Sequence, residues 1–168
     1  TNLALQQALA SARRLFEVLD HPVDIADRPG SRPLAGLTRE IRFDGVSFAY
    51  PGGPDVLSRI DLTVPKGSVT ALVGPSGAGK TTLVNLVPRF MDATEGTVTV
   101  DGVDVRDLTL ASLRGAIGLV TQEVILFDDT VARNVAYGRA DVPEARIWEA
   151  LRAANAEAFV KALPEGLG

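Results

Sequence analysis

The stretch Gly74-Pro75-Ser76-Gly77-Ala78-Gly79-Lys80-Thr81 has the residue types and spacing of a phosphate cradle. Its glycines let the main chain take turns closed to other residues and come close to a ligand. Successive backbone N–H groups of Gly74, Ser76, Gly77, Ala78 and Gly79 then point inward at the anion, and a helix starting near Lys80 aims its positive end at the same place. Lys80 sets a point charge on β- and γ-phosphate oxygens. The Thr81 hydroxyl is an oxygen ligand of the kind Mg²⁺ prefers, and Thr82 offers a further hydrogen bond. The bland alternative is a glycine-rich turn with an incidental lysine, and the surroundings argue against it. The run Val69–Val73 before the loop suits a strand buried on both faces of a partly parallel sheet. Lys80–Pro88 after it carries Leu83, Leu86 and Val87 at helical spacing. The loop therefore implies binding of a nucleoside triphosphate. It does not by itself separate ATP from GTP, or a motor from a kinase.

The elements around the loop follow from periodicity. Leu5, Leu9, Ala12, Phe16 and Leu19 form one face of an amphipathic helix, which His21-Pro22 stops. Residues 22–38 hold Pro22, Pro29, Pro33, Gly30 and Gly36 without periodicity and predict a linker along a surface. Ile41 and Phe43, then Val46, Phe48 and Tyr50, alternate with shifted parity across Gly45, which predicts two strand segments around an irregularity. Ile60, Leu62 and Val64 predict a strand closed by Pro65-Lys66-Gly67. Thr97–Val100, Asp101-Gly102 and Val103–Val105 predict a hairpin. Leu110 and Leu113 suit a short helix, and Ile117–Val120 a short strand. From Asp128 on the pattern is helical, with Asp141, Pro143 and Glu144 as a helix start and Ile147, Leu151 and Ala154 on one face.

Bulk properties bound the possibilities. With 168 residues, 46% apolar and 23% charged, the chain can fold one domain with a real core. A formal net charge of −4 disfavours a sequence-independent nucleic-acid binder. There is no cysteine and a single histidine, so neither a disulfide framework nor a thiolate or histidine-cluster metal site is expected. No run approaches the roughly 18 apolar residues of a spanning helix, and no signal peptide is legible.

Three further features resemble one family. Tyr50, in Phe48-Ala49-Tyr50-Pro51-Gly52, matches the aromatic that stacks on adenine in ATP-binding domains of ABC transporters; a tyrosine capping the core is the alternative. Leu119-Val120-Thr121-Gln122-Glu123 resembles that family's Q-loop, whose glutamine reaches Mg²⁺ and the attacking water and links the nucleotide to the membrane part. A lone glutamine in a loop is usually solvated, but the run from Gln122 to Gly138 closely resembles the exporter subfamily, where it opens a helical subdomain. Glu95–Gly102 and Leu110–Arg114 resemble the family in the expected order. Within exporters, the wording from Leu108 to Tyr137 is most similar to the bacterial lipid A and multidrug subfamily.

The resemblance implies an α/β phosphate-loop NTPase core of ABC type with an antiparallel β subdomain and the start of a helical subdomain. It also implies boundaries: residues 1–20 continuing from a transmembrane domain, 21–38 a linker, 39–123 the nucleotide-binding core and 124–168 the start of the helical subdomain. Lys80 and Gln122 are then the catalytic candidates, and Thr81 and Gln122 the Mg²⁺ ligands. Tyr50, Gly74, Ser76, Gly77, Ala78, Gly79, Lys80, Thr81, Thr82 and Gln122 contact ATP. The implied partners are a transmembrane domain, met through the region after Gln122, and a second ATP-binding domain in a head-to-tail dimer. The implied place is the cytoplasmic face of a bacterial inner membrane, and the implied task is export of a lipid-like or hydrophobic substrate. A soluble phosphate-loop kinase or metabolic NTPase, and a non-hydrolysing nucleotide-binding module, are the alternatives.

The family's L-S-G-G-Q signature, an apolar strand ending in Asp-Glu and a downstream histidine are not in this sequence. The expectation is a chain that stops before them, alone binding ATP weakly, hydrolysing it negligibly and leaving a sheet edge exposed. Elsewhere, Asp128-Asp129 reads as an acidic N-cap pair rather than a metal site, Arg13-Arg14 as a solvated helix face rather than a lipid contact, and Trp148 as a core or interdomain residue. Val124–Phe127 would be buried against either the core or a partner.

Overall fold

Strand β1 (Glu40–Ala49) is the spine of a four-stranded antiparallel sheet, paired on one side with β2 (Asp55–Pro65) and on the other with β3 (Glu95–Val100), which carries β4 (Val103–Asp104) at its outer edge. The computed structural model that shows this describes residues 2–20, 23–139 and 141–168. The chain forms two compact units, Thr1–Gly118 and Leu119–Gly168.

In the first unit, the parity shift across Gly45 becomes one continuous strand with a bulge. Phe43 faces Leu62 and Val98, the register slips, and Val46 and Phe48 then face Ile60 and Leu57. One extra residue on β1, opposite both neighbours, restores the inward aim of its apolar side chains. Gly96 makes the bulge possible: a Cβ there would run into the carbonyl oxygens of Asp44 and Gly45, and its φ is +74°. Helix α2 (Lys80–Leu86) and helix α3 (Leu110–Gly115) complete the core, in which Val46, Leu86, Leu108 and Leu113 are fully buried. Each such side chain contributes on the order of 1.5–3 kcal/mol.

The predicted hairpin forms at Asp101-Gly102, with φ of +53° and +84°, the turn geometry that matches strand twist. Asp101 also fastens the chain entering β1. Its carboxylate accepts from Thr38 N at 2.6 Å, Thr38 Oγ1 at 2.8 Å, Arg39 N at 2.6 Å and Glu40 N at 2.9 Å. Desolvation pushes this carboxyl up, but the accepted bonds outweigh it and hold the group well below the usual carboxylate range. The folded value is the lower one, so its stabilisation is present above an unfolded value of about 4 and fades as pH falls toward the folded one. Asp101→Asn, which keeps the turn conformation, is expected to melt several degrees lower at pH 7, with the gap closing below pH ~3. Paired melting curves at the two pH values check this.

The predicted linker is stitched to the domain rather than loosely draped. Arg32 N donates to Asp107 O and Thr109 N to Arg32 O, each at 3.0 Å, and Leu34 N donates to Ser112 Oγ at 2.8 Å. Arg89, only 2% exposed, reaches Ala26 O at 3.1 Å while pairing with Asp92 at 2.8 Å. Helix α1 (Asn2–Leu19) carries Leu9, Leu15, Phe16 and Leu19 exposed. The His21-Pro22 stop lies outside the described residues.

Two expected strands are corrected. Val69–Val73 forms no regular element and pairs with no strand among the described residues, and Val69 and Val73 are 99% and 93% exposed. Ile117–Val120 likewise joins no ladder, and Val120 is 93% exposed. A strand buried on both faces needs neighbours along both edges and layers on both sides. The antiparallel sheet described here supplies neither to these segments.

In the second unit, α4 (Val131–Val135), α5 (Glu144–Ala153) and α6 (Glu157–Lys161) gather Ile147, Leu151 and Val160 into a small core. The cap of α4 is Thr130, whose Oγ1 accepts from Arg133 N at 3.1 Å. This corrects the expectation of an acidic N-cap pair at Asp128-Asp129; instead Asp129 accepts from Thr130 N at 2.8 Å and pairs with Arg133. Helix α5 starts at Pro143 without a side-chain cap, so Asp141 is not its cap either; Asp141 sits at φ +55°. Trp148 packs partly buried against the small core, and its Nε1 donates to Glu144 at 2.9 Å. Val124, Ile125 and Leu126 are exposed, and Phe127 stacks on Tyr137 with ring centroids 4.4 Å apart. No described helix is long and apolar enough to cross a membrane.

Candidate nucleotide site

The phosphate loop lies in the first unit, between the unpaired run Val69–Val73 and α2. Gly79 caps α2 with φ +82° and ψ 8°, and no side chain caps the helix. The first helical bond runs from Leu83 N to Gly79 O at 2.8 Å. The amides of Lys80, Thr81 and Thr82 therefore open the helix without an intrahelical acceptor, as first-turn amides do. Serine, threonine or aspartate usually answers such donors. A helix start with a left-handed glycine and no side-chain cap is the form that an external anion completes.

Gly79 is forced by its walls as well as by its φ. A Cβ at that position would stand 2.8 Å from Leu57 Cδ2 and 3.0 Å from Val56 O. At Gly77, also left-handed with φ +80°, a Cβ would meet nothing within 4 Å. The loop is thus tight against β2 at its base and open at its rim. Lys80 Nζ folds back over it, donating to Pro75 O at 2.7 Å and Gly74 O at 3.0 Å. The ammonium group lies over the loop, bonded to neutral carbonyls. Thr81 is exposed, whereas Thr82 is buried.

Tyr50 is brought to this site. Its hydroxyl lies 3.3 Å from Thr82 Oγ1, and its ring meets Phe48 edge-on with centroids 4.9 Å apart. Tyr50 is 48% exposed, so it does not merely plug the core. Gln122 belongs to the second unit, in an exposed bend after Leu119.

Sequence reasoning missed the supports of these residues. Arg114 donates to Pro88 O at 3.0 Å and Arg89 O at 2.8 Å, holding the carbonyls that follow α2. Thr94 and Ser47 fix the end of β1, beside Tyr50. A basic residue in the last turn of a helix and a threonine before a hairpin read as solvent-facing, and no local pattern marks them otherwise.

Residues 57–166 match the ABC transporter family. Over 165 residues the chain is 50% identical to an ATP-dependent lipid A-core flippase of Desulfotalea psychrophila, covering 98% of this chain and 29% of that protein. A fatty acid ABC transporter ATP-binding/permease protein of Mycobacterium tuberculosis is 46% identical over 164 residues, covering 97% of this chain and 26% of its own length. Among solved structures, a bacterial Atm1-family ABC exporter with ATP bound superposes with a TM-score of 0.87 at 37% identity, over 96% of this chain and 28% of that one. The chain thus spans less than a third of the length of these relatives. A phosphate loop with an uncapped helix start, an aromatic beside it and similarity along nearly the whole chain lead to one conclusion: the chain belongs to the ABC transporter family, as part of its ATP-binding domain.

Proposed function

We propose that this chain is the ATP-gripping part of an exporter that moves a lipid-like or hydrophobic substrate across a bacterial inner membrane, from a domain on the cytoplasmic face. The observation that carries the reading is the loop itself: three first-turn amides without side-chain competition, a lysine within the loop and an aromatic face beside it. The names of the lipid A-core flippases and the fatty acid transporter support the substrate class.

In this reading the triphosphate replaces Gly74 O and Pro75 O as the acceptor of Lys80. The Lys80–Thr82 amides take the phosphate oxygens, and Tyr50 stacks on adenine. The Thr81 hydroxyl and the Gln122 amide are the groups that would hold Mg²⁺. Neutral oxygens of this kind suit a hard ion. When bound, Mg²⁺ supplies charge that offsets the developing negative charge on the transferring phosphoryl group. Lys80 adds to the same term, and Gln122 orients the attacking water. The region after Gln122, with exposed Val124–Leu126, meets the transmembrane domain, and a second ATP-binding domain closes head-to-tail over the nucleotide. Residues 1–168 alone bind Mg-ATP weakly and turn it over negligibly, because none of them is assigned as general base for the attacking water and the groups of a second ATP-binding domain that complete the site are not among them.

The test is the intact protein reconstituted in lipid vesicles. Mg-ATP turnover that rises with a lipid-like substrate, and flux of that substrate that needs Mg-ATP, are expected. Mg-ATP binding without turnover would make the protein a non-hydrolysing module and overturn the motor reading.

A further inference from the structure

We propose that Thr94 is a positioning residue for the base platform, acting through the main chain that presents Tyr50. This rests on the reading of Tyr50 as the adenine-stacking residue. β3 begins at Glu95, which pairs with Ser47, so the β1–β3 ladder ends two residues before the end of β1. Thr94 extends the ladder by means of its side chain. Its Oγ1 donates to Ser47 O at 3.1 Å and accepts from Ala49 N at 3.1 Å, and its own N–H donates to Ser47 O at 3.0 Å. One hydroxyl thus bridges Ser47, the last residue of β1 paired with β3, and Ala49 N, which has no β3 residue opposite it.

The next residue is Tyr50. Past it, Gly53 N closes a turn on Tyr50 O at 2.9 Å. Ser47 is buried, and its Oγ accepts from Arg59 N at 3.1 Å on the other side of β1. The strand end is therefore gripped from both neighbours, and at Ala49, the residue before the tyrosine, Asp55 of β2 holds one side and the Thr94 hydroxyl the other. Losing it frees Ala49 N and lets the ring leave its edge-on contact with Phe48 and its place beside Thr82. The phosphate loop is held by other residues, Val56, Leu57 and α2, and keeps its shape. The consequence is selective: Thr94 supports affinity for the base, not for the phosphates.

The experiment uses the intact protein and two probes, Mg-ATP and inorganic triphosphate with Mg²⁺, the second measured by displacement of Mg-ATP. Thr94→Val is expected to weaken Mg-ATP about three- to tenfold, the scale of one lost hydrogen bond, and to leave the inorganic triphosphate unchanged. Thr94→Ser is expected to restore the difference, and Thr94→Ala replaces valine if that variant does not fold. If Tyr50→Ala weakens Mg-ATP while Thr94→Val does not, the proposal fails and the platform reading stands. If both leave Mg-ATP unchanged, the platform reading fails and the proposal with it. Equal weakening of both probes by Thr94→Val marks a general disturbance and also overturns it.

Discussion

Lys80→Ala in the intact protein is expected to lower Mg-ATP turnover by about a hundredfold or more, the scale seen when a charge-stabilising donor is removed from a transition state. Lys80 is well suited to show this cleanly. Its ammonium bonds two carbonyls of its own loop, Gly74 O and Pro75 O, and no other described residue depends on it for a partner. Folding should therefore survive the substitution, with a melting temperature close to that of the parent. Mg-ATP affinity should fall as well, because the lysine meets the β- and γ-phosphates before reaction. Turnover should fall further than affinity, since charge builds on those oxygens during transfer. Steady-state kinetics with a parallel binding titration separate the two losses.

Gly79→Val is expected to be the most damaging single change in the loop. A β-branched residue at φ +82° is a backbone outlier. Its Cβ would also press on Leu57 Cδ2 at 2.8 Å and Val56 O at 3.0 Å, and Leu57 is buried and cannot swing away. Relief requires α2 to shift from β2, which carries Lys80, Thr81 and Thr82 with it. A stability loss of about 2–4 kcal/mol follows from strain and overpacking together. Mg-ATP affinity should fall by about two orders of magnitude, as several aligned amides are displaced at once. Gly77→Ala makes the contrast. It shares the left-handed φ but meets nothing within 4 Å, so it should cost only about 1–2 kcal/mol and spare much of the binding. Melting curves and Mg-ATP titrations on the two variants distinguish a wall from a backbone preference.

The parts legible in the sequence were those set by near neighbours in the chain. The Gly45 parity shift, the Asp101-Gly102 turn and the glycine-lysine loop each encode their geometry within a few residues, and each appears as expected. Val69–Val73 did not, because burial on both faces is a property of what lies beside a strand, and apolar composition records only the demand for it. The α4 cap slipped by one residue: Asp128, Asp129 and Thr130 are all competent acceptors, and the one whose backbone sits extended at the cap is chosen by packing. Arg89 was illegible for a different reason. An arginine after a helix reads as solvated, and only the return of the linker, with Ala26 O in reach, takes it out of water. Tyr50 could be placed by family resemblance, but its supports, Thr94 and Ser47, could not, since their partners are backbone groups that a sequence does not display.

The central claim is that the loop from Gly74 to Thr82 closes on the triphosphate of ATP. Hydrogen exchange of the intact protein with and without Mg-ATP reads those amides directly. Slowed exchange across Ser76–Thr82 on adding Mg-ATP, reduced in Lys80→Ala at the same nucleotide concentration, is the predicted result. Saturating Mg-ATP that leaves exchange at these amides unchanged would contradict it.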